Sequence, residues 1–166
     1  MVDCRGRYRG DDTLARAQPL TNEGPSLYER DFCLWVEEQA RLLREGGLED
    51  LDVVNLIDEI ESLAINRKHA VTSNLVVILK HLLKHRYQPR RGSRSWLSSI
   101  AEHRRRLRQE FQHAPSFHGY ARERFEQCYQ DGRRQALIET GLAPDALPSA
   151  PPYSLEQTLD PDFLPD

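Results

Sequence analysis

The stretches LDVVNLIDEIESL, residues 51–63, and LVVILKHLLKHRYQP, residues 75–89, decide the fold class. In the first, Val53, Leu56, Ile57, Ile60, Leu63 and Ala64 recur at intervals of three and four, which draws one apolar stripe along a helix. Asp52 stands just ahead of that stripe as an N-cap. In the second, apolar residues from Leu75 to Leu83 cover most of a helical circumference, so this helix belongs at the centre of a bundle. Proline is absent from Ser26 to Gln88. One unbroken rod from Val53 to Arg86 would nevertheless measure about 50 Å, against a radius of gyration of about 15 Å for a compact domain of this length. A turn is therefore expected near Ala64 to Arg67, with Asn66 as the cap and two antiparallel helices on either side.

Working outward, Ser26 with Glu29 has the spacing of a capping box, and Phe32, Trp35, Val36, Gln39, Leu42 and Leu43 continue a helix as far as Arg44, ahead of Gly46 and Gly47. On the other side, Ser93 or Ser95 caps a helix carrying Trp96, Leu97, Ile100, Leu107 and Phe111. Pro115 and Ser116 open a fifth helix with Phe117, Tyr120, Ala121, Phe125, Cys128 and Ala136 on one side. Gly132 lies in that stripe and Gly141 closes the helix. Six of the ten prolines lie in residues 144–166 and exclude a long helix there. Ser154 with Gln157 repeats the capping-box spacing, and Tyr153, Leu155, Leu159, Phe163 and Leu164 supply apolar anchors. No segment alternates as a strand does. The expected architecture is all-α, a single-domain bundle of about five helices over residues 26–143. A loose arm precedes it at 1–25, and a Pro-rich tail with one short helix docks on it at 144–166.

Length and composition exclude several classes. A chain of 166 residues with 30% charged residues suits one domain. The apolar run Leu75–Leu79 is far short of the roughly 18 residues of a membrane span. The first residues, MVDCRGRYRGDD, do not read as a secretory signal. Cys4, Cys33 and Cys128 are scattered and odd in number, which favours free thiols and a cytoplasmic setting. The net charge of −3 conceals an asymmetry. Glu45, Glu49, Asp50, Asp52, Asp58, Glu59 and Glu61 follow one another with no basic residue between them. Lys84, Arg86, Arg90, Arg91, Arg94, Arg104, Arg105, Arg106 and Arg108 are opposed only by Glu102. The two blocks are expected to neutralise each other at least in part.

With these residues in view, the chain resembles the bacterial family known only as domain of unknown function 29. The matching pieces are YERDFCLWVEEQARLLREG at 28–46, LDVVNLIDEIESL at 51–63, HLLKHRYQP at 81–89, SRSW at 93–96, QALIETGL at 135–142 and PPYSLEQTLDPDFLPD at 151–166. The resemblance spans about residues 26–166. It implies an all-helical domain and brings no known activity with it. It also implies that position 85, here a histidine, is usually aromatic, which favours a packing role for His85.

The candidate chemical groups are few. Asp58, Glu59 and Glu61 cluster as acid–base or metal-binding carboxylates do, but Glu59 and Glu61 flank an apolar stripe, where carboxylates most often meet arginine. Arg104 falls inside the apolar sector between Ile100 and Leu107, so Glu59, Glu61 and Arg104 are expected to form a buried ion pair. His81 and His85 have the i, i+4 spacing of two metal ligands. Glu61 would be the natural third ligand, with Glu59, but it lies about 16 Å from His81 along the axis of a hairpin and about 30 Å away in a straight rod. Arg90, Arg91, Arg94, Arg105 and Arg108 are the candidates for nucleic-acid contact. Trp35 and Trp96 sit on apolar stripes as core residues, and Gln88 suits the satisfaction of free helix-end carbonyls. No phosphate loop, nucleophile elbow, HExxH or CxxC is present. The sequence favours a non-enzymatic helical interaction module for a protein partner or a second copy, without a cofactor. A nucleic-acid accessory and a metal-dependent enzyme are the alternatives.

Overall fold

The computed structural model describes residues 24–88 and 93–166, and among these the elements are helical, with no strand. The helices are α1 (Leu27–Arg30), α2 (Phe32–Glu45), α3 (Val53–Tyr87), α4 (Arg94–His113), α5 (Phe117–Thr140) and α6 (Leu155–Leu159), with 3-10 turns at Leu48–Asp50 and Pro144–Ala146. The chain divides into two compact units, at Asn55 and Leu56. The loose arm and Cys4 expected at the start of the chain, along with Arg90 and Arg91, lie outside the described residues.

In the unit ending at Asn55, Ser26 and Glu29 form the anticipated capping box, but the first helix is interrupted. Asp31 adopts φ −154° and ψ 92° and accepts a hydrogen bond from the Leu34 amide, so it caps α2 afresh. Gly46 ends α2 at φ 79°, a conformation glycine enters without steric cost. The chain then returns so that Asp52 meets α2. The Trp35 indole donates to Oδ2 of Asp52 at 3.1 Å, and the Asp52 amide donates to the Gln39 side chain at 2.8 Å. The remaining carboxylate oxygen accepts from the Asn55 amide at 3.3 Å, which makes Asp52 the N-cap of α3.

Helix α3 runs 35 residues without a break, about 52 Å. The turn expected at Ala64 to Arg67 does not occur, so the five long helices anticipated become four among the described residues. The reason is local. No proline or glycine lies within α3, and Asn66 is an exposed helical residue rather than a cap. Adding residues to an existing helix also avoids the cost of nucleating a new one.

In the unit beginning at Leu56, the second half of α3 is the core. Val71, Leu75, Ile78, Leu79, Leu82 and Leu83 are fully buried against Ile100, Leu107 and Phe111 of α4 and Ala121, Cys128, Tyr129 and Ala136 of α5. Helix α4 runs antiparallel to α3. Its register is fixed by Asn74 with His103 at 2.6 Å, Arg67 with Glu110 at 3.0 Å and the ring of His81 beside Trp96. Helix α5 runs parallel to α3, with Phe117 beside Arg67 at one end and Glu139 beside Lys80 and Lys84 at the other. Gly132 permits that approach, since a Cβ there would lie 3.0 Å from the Val76 carbonyl oxygen and 3.2 Å from the Leu79 Cβ.

Six of the 25 residues after Gly141 are prolines without an amide hydrogen, and several of the segment's carbonyls are bound by side chains of the helices. The Tyr129 hydroxyl donates to Pro148 at 2.6 Å, and Gln130 to Ser149 at 2.8 Å. Arg133 donates to Leu147 at 3.1 Å and also to Pro144. At the end of α5 itself, Gln88 donates to the Thr140 carbonyl at 3.3 Å. Ser154 and Gln157 form the second capping box at the start of α6.

Candidate functional site

The register of α4 on α3 has a direct consequence for the first half of α3. His113, the last residue of α4, is level with about residue 64, and α5 begins at Phe117 beside Arg67. Helix α3 therefore continues past the connection between its two neighbours. On the overhanging part Ile57 is 50% exposed, Ile60 64%, Leu63 64% and Ile65 51%. At about 100° per residue, Ile57, Ile60 and Ala64 lie on the same side of the helix as Val71, Leu75, Ile78 and Leu82, so a single apolar stripe is covered in one half and bare in the other.

The carboxylates flanking the bare half do not reach the groups the sequence assigned to them. Asp58 and Glu61 are exposed. Arg104 is 4% exposed, as its place in the apolar sector requires. The partner expected for it, Glu59 or Glu61, is replaced by three backbone carbonyls. Nε donates to Thr158 at 2.9 Å, and the terminal nitrogens to Pro161 at 3.3 Å and Phe163 at 3.0 Å. The register explains the correction, because Arg104 is level with about residue 73 of α3 and about 18 Å along the axis from Glu61. Burial lowers the pKa of this guanidinium, with Asp160 acting in the opposite direction.

His81 and His85 lie on the covered half of α3. Their Nδ1 atoms are buried and make no hydrogen bond among the described residues. Burial, together with the positive charges of Lys80 and Lys84, pushes His81 down to about 4. Glu61 is about 30 Å away along the unbroken helix. Among the described residues no three His, Cys, Asp or Glu side chains come together to hold a metal ion. Beside His81, Lys84 donates to Glu139 at 2.6 Å and Lys80 donates to its other oxygen at 2.8 Å. The ammonium of Lys84 also stands 4.5 Å from the centre of the Trp96 ring. Burial acts to raise Glu139, but the two lysine hydrogen bonds outweigh it and hold the carboxyl at about 2. This cluster escaped the sequence reading, and the one signal for it is the i, i+4 pair of lysines on an otherwise apolar helix.

The arginines of α4 divide by partner. Arg105 and Arg106 both donate to Glu102 at 2.8 Å. Arg94 and Arg108 are exposed and make no ion pair among the described residues. Cys33 is exposed and Cys128 is buried, and burial pushes the Cys128 thiol up to about 11, away from nucleophilic use near neutral pH. Among the described residues no helix is long and apolar enough to cross a membrane.

No curated protein and no solved structure matches the chain. A family match does exist. The pattern described as Domain of unknown function DUF29 fits residues 27–164, from the first residue of α1 through the carbonyls held by Arg104. The overhanging α3 and the carbonyl-bound closing segment thus lie within one family-wide unit of sequence, and the chain belongs to the DUF29 family.

Proposed function

We propose that this protein is a non-enzymatic helical interaction module whose partner is a second copy of itself, joined through the bare side of α3. The observation that carries the reading is Ile57 and Ile60, each at least half exposed and in line with the core residues of the same helix, with the equally exposed Leu63 and Ile65 on the two borders of that stripe. Contiguous apolar patches larger than a few hundred Å2 are rare on folded monomers and mark interaction sites, and covering apolar surface is worth about 25 cal/mol per Å2.

Charge favours a second copy laid in the opposite direction. Asp58 and Glu61 lie toward the start of the bare stretch, and Lys68 lies at its end, exposed and 5.7 Å from the Tyr120 ring. Two copies running the same way would oppose carboxylate to carboxylate. Two copies running opposite ways bring the carboxylates of each toward Lys68 of the other, and their helix dipoles also oppose. A two-fold axis across the stripe makes such an interface self-complementary and closed.

Light scattering and sedimentation over a range of concentrations should show a dimer, and Ile60→Glu should convert it to a monomer of unchanged helicity. Lys68→Gln should weaken the dimer. A monomer at every concentration removes the reading, and a dimer strengthened by Lys68→Gln removes the opposed orientation, since parallel copies would gain from losing the repulsion between their two Lys68 ammonium groups.

A further inference from the structure

A second feature, independent of the bare stripe, lies on the opposite end of the chemistry available here. Arg104, Arg108 and Gln112 follow one another at one-turn intervals along α4 and line a cavity of about 260 Å3 with Phe111, His118 and Leu159. Phe111 and Leu159 supply its apolar wall, Arg108, Gln112 and His118 form its solvent-exposed side, and the His118 ring is stacked on Phe111 with 4.1 Å between centres. No carboxylate lines the cavity. The three carbonyls bound by Arg104 satisfy hydrogens but do not neutralise its charge, and Asp160, the acid nearest to it in effect, makes no ion pair with it.

The side chains of Arg108, Gln112 and His118 have no hydrogen-bond partner among the described residues, although the neighbouring Arg105 and Arg106 are both held by Glu102. The guanidinium groups of Arg104 and Arg108, like in sign and one helical turn apart, repel each other beside a cavity open to solvent, and an anion between them reverses the sign of that interaction. Planar guanidinium forks match the oxygens of phosphate and carboxylate, and a side-chain amide and an imidazole complete a donor set for the same kind of group.

We infer that the cavity between α4, the start of α5 and α6 is a binding site for a small oxyanion, a phosphate or carboxylate group, held by Arg108, Gln112 and His118 against the fixed charge of Arg104. Its volume is below the usual range of about 300–1,000 Å3 for larger organic ligands, so the group is that of a small molecule or a single charged substituent. Arg104 is a positioning residue as well as a charge, because its carbonyl contacts hold the α6 segment that carries Leu159.

The test is calorimetric titration of the full chain with inorganic phosphate and, separately, with succinate, at constant ionic strength and with chloride as the blank. Saturable binding of at least one of the two is expected. Arg108→Gln should weaken it at least tenfold while leaving the melting temperature of the unliganded protein unchanged, since Arg108 has no partner to lose. Arg105→Gln, which alters an arginine spent on Glu102, should leave binding unchanged. Preference for phosphate over succinate, or the reverse, identifies the class of anion. Absence of saturable binding to both, or an equal loss in Arg105→Gln and Arg108→Gln, overturns the assignment.

Discussion

Ile60 and Ile78 lie five turns apart on one side of α3 at about 3.6 residues per turn, yet Ile60 is 64% exposed and Ile78 is completely buried. Identical residues in identical secondary structure thus differ only in what lies across from them. Ile78→Ala should cost about 2–5 kcal/mol through lost burial and the cavity left behind. Ile60→Ala should change the stability of the dilute monomer by no more than about 0.5 kcal/mol. Chemical denaturation of the two variants below the concentration of self-association checks the contrast.

The clasp formed by Arg104 predicts a loss that depends on shape rather than on charge alone. Arg104→Ala strands the Thr158, Pro161 and Phe163 carbonyls, and unsatisfied buried groups cost about 1–3 kcal/mol each. With one of the three well buried, a total near 3 kcal/mol is expected. Arg104→Lys keeps the charge but lacks the planar fork, so it should recover little of the loss. Amide hydrogen exchange in α6 should accelerate in both variants.

Two glycines of α5 should respond to alanine with opposite signs. At Gly119 a new Cβ meets nothing within 4 Å, so helix propensity prevails, and Gly119→Ala should stabilise by about 0.5–1 kcal/mol. At Gly132 it would press on the Val76 carbonyl and the Lys80 amide nitrogen at 3.0 and 3.2 Å, both backbone atoms. Overpacking of this kind costs about 1–3 kcal/mol, enough to outweigh the propensity gain. Thermal unfolding of the pair gives the two signs directly.

Two groups with depressed folded pKa values, His81 and Glu139, contribute to the acid limb of stability. His81 sits at about 4 in the fold, against about 6.5 unfolded. The unfolded chain therefore takes up the proton first, and stability falls as pH drops from about 6.5 toward 4. Glu139, at about 2 in the fold, against about 4.3 unfolded, extends the loss from about pH 4.3 toward 2. Its side chain is 39% exposed, so solvent screening reduces this second contribution. His81→Gln should flatten the upper window and Glu139→Gln the lower one, as measured by denaturant midpoints across the pH range.

Local signals were legible in the sequence because they depend on neighbours in the chain. The capping boxes at Ser26 with Glu29 and Ser154 with Gln157, and the helix ends at Gly46 and Gly141, are of this kind. The break at Asp31 is not legible, because an N-cap aspartate inside a helical pattern looks like any exposed acid. No residue from Ala64 to Arg67 demands a break, and the size of a whole domain does not limit the length of one element within it.

The burial of Arg104 could be read from its place between Ile100 and Leu107, but its partners could not. A carboxylate is visible in a sequence, whereas a carbonyl oxygen belongs to every residue and so marks none. The same holds for Tyr129, Gln130 and Arg133, whose bonds to the Pro-rich segment leave no pattern in the residues they hold.

That indifference to side-chain identity has an evolutionary corollary. Helices that grip the trailing segment by oxygens common to all amino acids recognise the path of the chain and not its spelling. Mutations can accumulate at the exposed gripped residues Pro144, Ser149 and Pro161 without loosening the attachment, provided the bends that present those oxygens persist. Drift should be resisted at Arg104, Tyr129 and Arg133, which do the gripping, and at Leu147 and Thr158, whose own side chains are buried.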